Sequence, residues 1–118
     1  MSDRDERVYL NDMLASARRI LEYLEGRNRA DLDTDSMLQD AVCRQLEVLG
    51  EAASHVGEST RAKHAALPWQ SIVGMRNQLI HAYHRVDLDI VWRTARESLP
   101  ELVSQLEALL GSGPAYHP

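Results

Sequence analysis

The sequence predicts an all-α protein, an up-and-down bundle of four main helices plus a short one. Three observations predict it. Apolar residues recur at three- and four-residue steps through most of the chain, which is the spacing of one helical face. No segment alternates with period two as a half-buried strand would. The breaks between periodic stretches are brief and carry helix-stopping or helix-capping residues: Gly26, the run Asp33-Thr34-Asp35, Gly57, and Asp87.

The first helix carries the stripe Leu10, Met13, Leu14, Ala17, Leu21 and Leu24. Asp3, Asp5 and Glu6 precede it and favour a helix N-terminus, and Gly26 suits its stop. The polar run "RNRADLDTD" reads as a loop, with Asp33, Thr34 and Asp35 as alternative N-caps for the second helix. That helix shows Leu38, Ala41, Val42, Leu46, Leu49, Ala52, Ala53 and Val56. Gly50 sits inside it, where glycine costs about 1 kcal/mol relative to alanine, so a close helix contact or a bend is expected there. "ESTRAKHAALP" predicts a short helical turn capped by Ser59 or Thr60. Pro68 opens the next helix, whose stripe is Trp69, Ile72, Val73, Arg76, Leu79, Ile80 and Tyr83. "HRVDLD" is a break with Asp87 as N-cap, and the last helix runs from Leu88 to Leu110 with Pro100 expected to kink or divide it. This gives one helical domain over residues 1–110 and a flexible tail, "GSGPAYHP", over 111–118.

Composition narrows the function. Hydrophobic residues are 44% and charged residues 26% of 118, ordinary values for a globular chain, and with no Phe the core must be aliphatic. Cys43 is the single cysteine, which excludes an intrachain disulfide and a cysteine-rich zinc site. The charged start does not read as a signal peptide, and no apolar run approaches the roughly 18 residues of a membrane span. A cytoplasmic protein is therefore expected. The net charge of -5 argues against a broad phosphate-binding footprint and leaves room for a small local site.

The candidate site is "MRNQLIHAYHRVD", Met75 to Asp87. Arg76 falls on the apolar stripe and Tyr83, seven residues on, nearly eclipses it. His81 lies well around the helix, on the face of Asn77 and His84. Arg76 and His81 can therefore share a site only beyond the helix end or across a two-fold axis between two copies. Histidine can exchange a proton near neutral pH, and arginine can hold a phosphate oxygen with two bonds. Together they supply the minimum for metal-independent RNA cleavage. The imidazole takes the proton of a ribose 2′-hydroxyl or protonates the leaving 5′ oxygen, and the guanidinium stabilises the charged transition state.

Arg76, four residues, His81, one residue, Tyr83 resembles the Arg-x4-His-x-Tyr signature of the HEPN superfamily, specifically of HepT-like toxins. "LGEA" at Leu49–Ala52, "PWQSIVGMRN" before the motif and "VDLDIVW" after it are similar to the family as well. The resemblance implies a dimeric helical bundle with both motifs lining one cleft, and a ribonuclease acting on tRNA or mRNA. It implies the toxin of a type II/VII-like toxin–antitoxin pair whose partner is an MNT-type nucleotidyltransferase, able to transfer AMP to the motif tyrosine, here Tyr83. Arg76 and His81 would be catalytic, with Asn77, His84 and Arg85 contacting RNA or supporting the site. No cofactor and no metal are implied.

Each residue also has a plainer reading. Arg76 could be a structural arginine paired with an acid such as Glu51. His81 could simply complement a helix C-terminus, and Tyr83 could be a packing residue with a polar tip. His84 and Arg85 suit an exposed charged turn. Arg93 and Arg96 either extend a basic patch or are solvated helix charges. Trp69 and Trp92 read as core or interface anchors. The whole chain could instead be a non-catalytic nucleotide- or partner-binding subunit of a nucleotidyltransferase complex.

Overall fold

The computed structural model describes residues 3–81 and 87–111, and every regular element among them is helical. The elements are α1 (Asp3–Leu24), α2 (Arg29–Thr34), α3 (Ser36–Ser54), α4 (Glu58–Lys63), α5 (Trp69–His81), α6 (Leu88–Arg93), a π-helical turn (Thr94–Ser98) and α7 (Leu99–Gly111). Residues 112–118 of the expected tail lie outside the described residues.

α3 lies between α1 and α5, and α7 packs against α1 while bordering a groove with α3 and α5. α3 and α7 run antiparallel to α1. Glu6 near the start of α1 meets Gly57 just past the end of α3, and Arg7 donates to the Leu110 carbonyl near the end of α7. The shared core is aliphatic, as the absence of Phe requires. Met13, Ala17 and Ile20 from α1, Val42 and Ala53 from α3, Ala95 from the π turn and Leu106 from α7 are all fully buried. On α1 the buried position is Ile20, whereas Leu21 from the sequence stripe is only partly buried.

Three local features differ from the sequence reading. The loop expected at "RNRADLDTD" contains α2, a helix too short to show periodicity. It forms because Asn28 and Asp31 cap each other reciprocally, and Leu32 is wholly buried beneath it. Asp35 then caps α3 by accepting from the Leu38 N–H. α4 is capped not by Ser59 or Thr60 but from a distance. Its N-cap is Gly57, whose N–H donates to Glu6 Oε1 at 2.7 Å, and the Thr60 hydroxyl donates to the other Glu6 oxygen. Finally, the break expected at Pro100 falls one turn earlier, as the π turn. There the Leu99 N–H reaches back to the Thr94 carbonyl, and the widened turn makes room for a ring that cannot donate.

α5 begins as the sequence implies, with the Pro68 carbonyl accepting from the Ile72 N–H. Trp69 is buried, and its indole N–H donates to the His64 carbonyl at 3.0 Å, which makes it a core anchor. Asp87 caps α6 by accepting from the Asp89 and Ile90 N–H groups. α5 packs chiefly against α3, and the line of that contact positions Arg76.

Candidate active site

Gly50 explains how α5 meets α3. A Cβ built on Gly50 would overlap the Arg76 Cβ and lie 3.1 Å from the Ile72 carbonyl oxygen. Only a residue without a side chain lets the two backbones approach this closely. The expected close contact is therefore real, and its partner is Arg76 itself. The stem of Arg76 is pinned at the helix crossing and its head emerges along α3.

The guanidinium is held at two points. Nη2 donates to Glu51 Oε2 at 2.6 Å, and Nη1 donates to Asn77 Oδ1 at 3.0 Å. Nε is buried with no partner among the described residues. Among the described residues, one N–H on each terminal nitrogen has no partner and stands open to a ligand, since the group carries five donors in all. The side chain of Arg76 is 30% exposed, so its head reaches solvent.

Glu51 is shared. Its other oxygen, Oε1, meets His55 Nε2 at 3.0 Å, one turn along α3. The His55 ring stacks on Tyr9 of α1, with centroids 5.1 Å apart and planes 22° from parallel. The hydrogen bond with His55 and then the positive charge of Arg76 hold the Glu51 carboxyl below the usual carboxylate range. A cleft of about 460 Å³ lies over this row, bordered also by Asp12, Arg44 and Glu47.

Of the residues singled out in the sequence, Arg76 and Asn77 come together here. Asn77 accepts from the Arg76 guanidinium, a contact that the sequence reading did not single out. The pairing of Arg76 with Glu51 offered by the plainer reading is present in the structure. α5 stays helical through His81, so no bend within it turns His81 toward Arg76. The His81 side chain lies outside the described residues, as do Tyr83, His84 and Arg85. Arg96 does not extend a basic patch. It donates to the Leu24 and Arg27 carbonyls past the end of α1 and lies over the Trp92 ring at 4.4 Å, which is a structural task.

His55 and Tyr9 are the residues that sequence reading passes over. The Glu51/His55 pair stands at the i,i+4 spacing that brings side chains together on a helix, and that is a usable signal. Tyr9 has none, because its approach to His55 depends on how α1 docks against α3. Among the described residues no three His, Cys, Asp or Glu side chains are grouped to hold a metal ion. None of the described helices is long and apolar enough to cross a membrane.

The model of the ribonuclease HepT-like family matches residues 13–109 of the chain, a span that includes the whole of α5 and its motif. This chain is a member of the HepT-like ribonuclease family. It is 34% identical over 107 residues to a candidate RNase of Methanocaldococcus jannaschii, covering 91% of this chain and 98% of that one. A candidate RNase of Caldanaerobacter subterraneus is 36% identical over 104 residues, covering 88% and 93%. A protein named as a probable ribonuclease HepT from Thermococcus cleftensis is 34% identical over 106 residues, covering 90% and 96%. No solved structure gives a match. The HepT-like match takes in Arg44, Glu47, Glu51, His55 and Arg76 of the cleft, whereas Tyr9 and Asp12 lie before its start at residue 13.

Proposed function

We propose that this chain is a metal-independent endoribonuclease and the toxin of a toxin–antitoxin pair, working in the cytoplasm on tRNA or mRNA. The observation that carries the reading is the Arg76 guanidinium. It stands at the motif position of a HepT-like chain, fixed by Glu51 and Asn77 and keeping free donors at the edge of an open cleft.

In this mechanism Arg76 holds the scissile phosphate and stabilises the charge that builds on its oxygens. His81 acts as the general base or acid. The 2′-oxygen attacks phosphorus, the bond to the 5′-oxygen breaks, and the proton released by the 2′-hydroxyl is balanced by one delivered to the leaving oxygen. Five helical positions separate Arg76 from His81, about 140° around α5, so a homodimer completes the site by bringing the two motifs to one cleft. Asn77, His84 and Arg85 support the RNA. An MNT-type nucleotidyltransferase antitoxin silences the enzyme by transferring AMP to Tyr83. The added phosphate places acceptor oxygens where Arg76 would otherwise meet RNA.

The direct test is purified protein with total RNA in EDTA. Wild type should cut, whereas Arg76→Ala and His81→Ala should not. Equal cutting by either variant would refute its role.

One observation favours a second reading. Arg76 is already paired with a carboxylate, and the three acids Asp12, Glu47 and Glu51 outnumber the two arginines, Arg44 and Arg76, on the cleft. A non-catalytic subunit that docks its nucleotidyltransferase through this cleft would look the same. Intact mass after co-expression with that partner separates the two. An AMP-sized increment lost in Tyr83→Phe supports the toxin, while a tight unmodified complex with no toxicity of the free chain supports the subunit.

A further inference from the structure

Three features outside the motif invite a role: the apolar groove between α3, α5 and α7, the buried Glu6 clamp, and the row that ends at Tyr9. The groove, lined by Leu46, Leu49, Ile72, Met75 and Leu102, shows nothing of its occupant. Glu6 is sealed and serves only to cap α4. The row is different, because it ends on Arg76.

We propose that Glu51 is a positioning residue for Arg76, braced in turn by His55 and Tyr9. This rests on the reading of Arg76 as the phosphate clamp. An arginine must be held still to stabilise a transition state, since ordering its long side chain at the moment of reaction costs part of the benefit. Here the stem is fixed by Gly50 and the head by Glu51 and Asn77.

A carboxylate beside a phosphate site could instead act as a competitor that occupies the arginine until RNA arrives. The bracing argues against that. A competitor has to swing away, but Glu51 is tied by its second oxygen to His55, and His55 is stacked on Tyr9 of a different helix. The carboxylate takes one N–H of Nη2 and leaves the other donor free, which is what an orienting partner does. The remaining charges on the cleft are Asp12, Arg44 and Glu47, and Arg44 is engaged with Glu47 at 3.4 Å.

The experiment combines two readouts on the full chain. The first is nitrogen-15 NMR of the arginine side chains, with the Arg76 signals assigned by their loss in Arg76→Lys. Wild type should show slow rotation of the guanidinium, Glu51→Ala fast rotation, and Glu51→Gln an intermediate rate. The second is cleavage of a single-stranded RNA. Glu51→Ala should lower kcat about tenfold to a hundredfold while KM stays within about threefold, with partial recovery in Glu51→Gln. His55→Ala should cost less, and should add nothing once Glu51 is already alanine, because it acts through that residue. Glu51 is half exposed, so these variants should fold, and thermal melting confirms it.

Unchanged Arg76 signals in Glu51→Ala would overturn the proposal. So would a Glu51→Ala enzyme that cuts as fast as wild type or with a lower KM, which is the behaviour of a released competitor. If wild type cuts no RNA while Arg76 mobility still depends on Glu51, the nuclease reading fails and the positioning stands.

Discussion

Two glutamates in this protein do similar geometry to different ends. Glu6 and Glu51 each accept from two partners, one on each oxygen. Glu6 is 6% exposed and takes neutral donors, the Gly57 N–H and the Thr60 hydroxyl. Glu51 has half of its side chain in solvent and takes ionisable donors, Arg76 and His55. The sealed carboxylate ties α1 to the start of α4 and can do nothing else, because no ligand reaches it. The open one orients a cation that a ligand can reach. Burial and the chemistry of the donors, more than the residue type, separate a structural carboxylate from one that serves a site.

The strongest way to break this contrast is to disturb both halves at once. Gly50→Ala puts a methyl group into the Arg76 stem, where neither Cβ can yield without parting α3 from α5. Overpacking of this kind costs about 1–3 kcal/mol, and the better helix propensity of alanine returns at most about 1. Chemical denaturation should show a net loss of stability. RNA cleavage by the folded fraction should fall as well, because Arg76 moves.

Glu6→Ala should disturb only the structural half. Removing the carboxylate orphans a buried hydroxyl and a backbone N–H, at about 1–3 kcal/mol for the groups left unpaired. Urea melts should detect that loss, and cleavage per folded molecule should match wild type. A drop in cleavage would mean that the two clamps are coupled through α1 and α3.

A smaller effect concerns pH. The folded-state pKa of Glu51 lies below its ordinary value of 4.5, so its stabilising contribution is complete above that value. The contribution is lost as the pH falls through the lowered folded-state value. Glu51→Gln should therefore lower stability slightly at pH 7, where the screened contribution is otherwise complete, and leave stability well below pH 4.5 unchanged, so that the fall with acid is shallower. Denaturation series at several pH values measure this.

The smallest effect concerns the core that both clamps serve. Burial, with help from Glu47 and Asp40, pushes the Cys43 thiol up to about 11. Against the ordinary value of 9.0 this leaves roughly a hundredfold less thiolate, so alkylation near pH 8 should be slower than for a free thiol by at least that factor. Adding urea should restore the normal rate.

How much is legible in one dimension depends on the range of each interaction. The long helices and the Asp87 cap can be read, and Asp35 can be named as one of three candidate caps, because each depends on residues within a few positions. Gly50 shows that something comes close, but its partners Ile72 and Arg76 lie on another helix. The Arg76–Glu51 pair can be offered only as one acid among others, because α3 and α5 meet across a separation of 25 residues. α2 escapes the sequence reading because a helix of six residues, under two turns, has no period to detect, although its Asn28/Asp31 capping pair is visible. The caps expected for α4 are wrong because Glu6 reaches it from 51 residues away.

By itself, then, the sequence determined the helical class, the aliphatic core and the motif that brings Arg76 and His81 onto one helix of a HepT-like chain. Periodicity and local capping are properties of neighbouring residues, so they survive being read along the chain. The tertiary structure alone decided that the Arg76 stem fills the gap left by Gly50, that Glu51 is the acid it meets, and that His55 and Tyr9 stand behind that acid. Those contacts join three helices, and their geometry exists only once the apolar faces of α1, α3 and α5 have fixed how the helices cross.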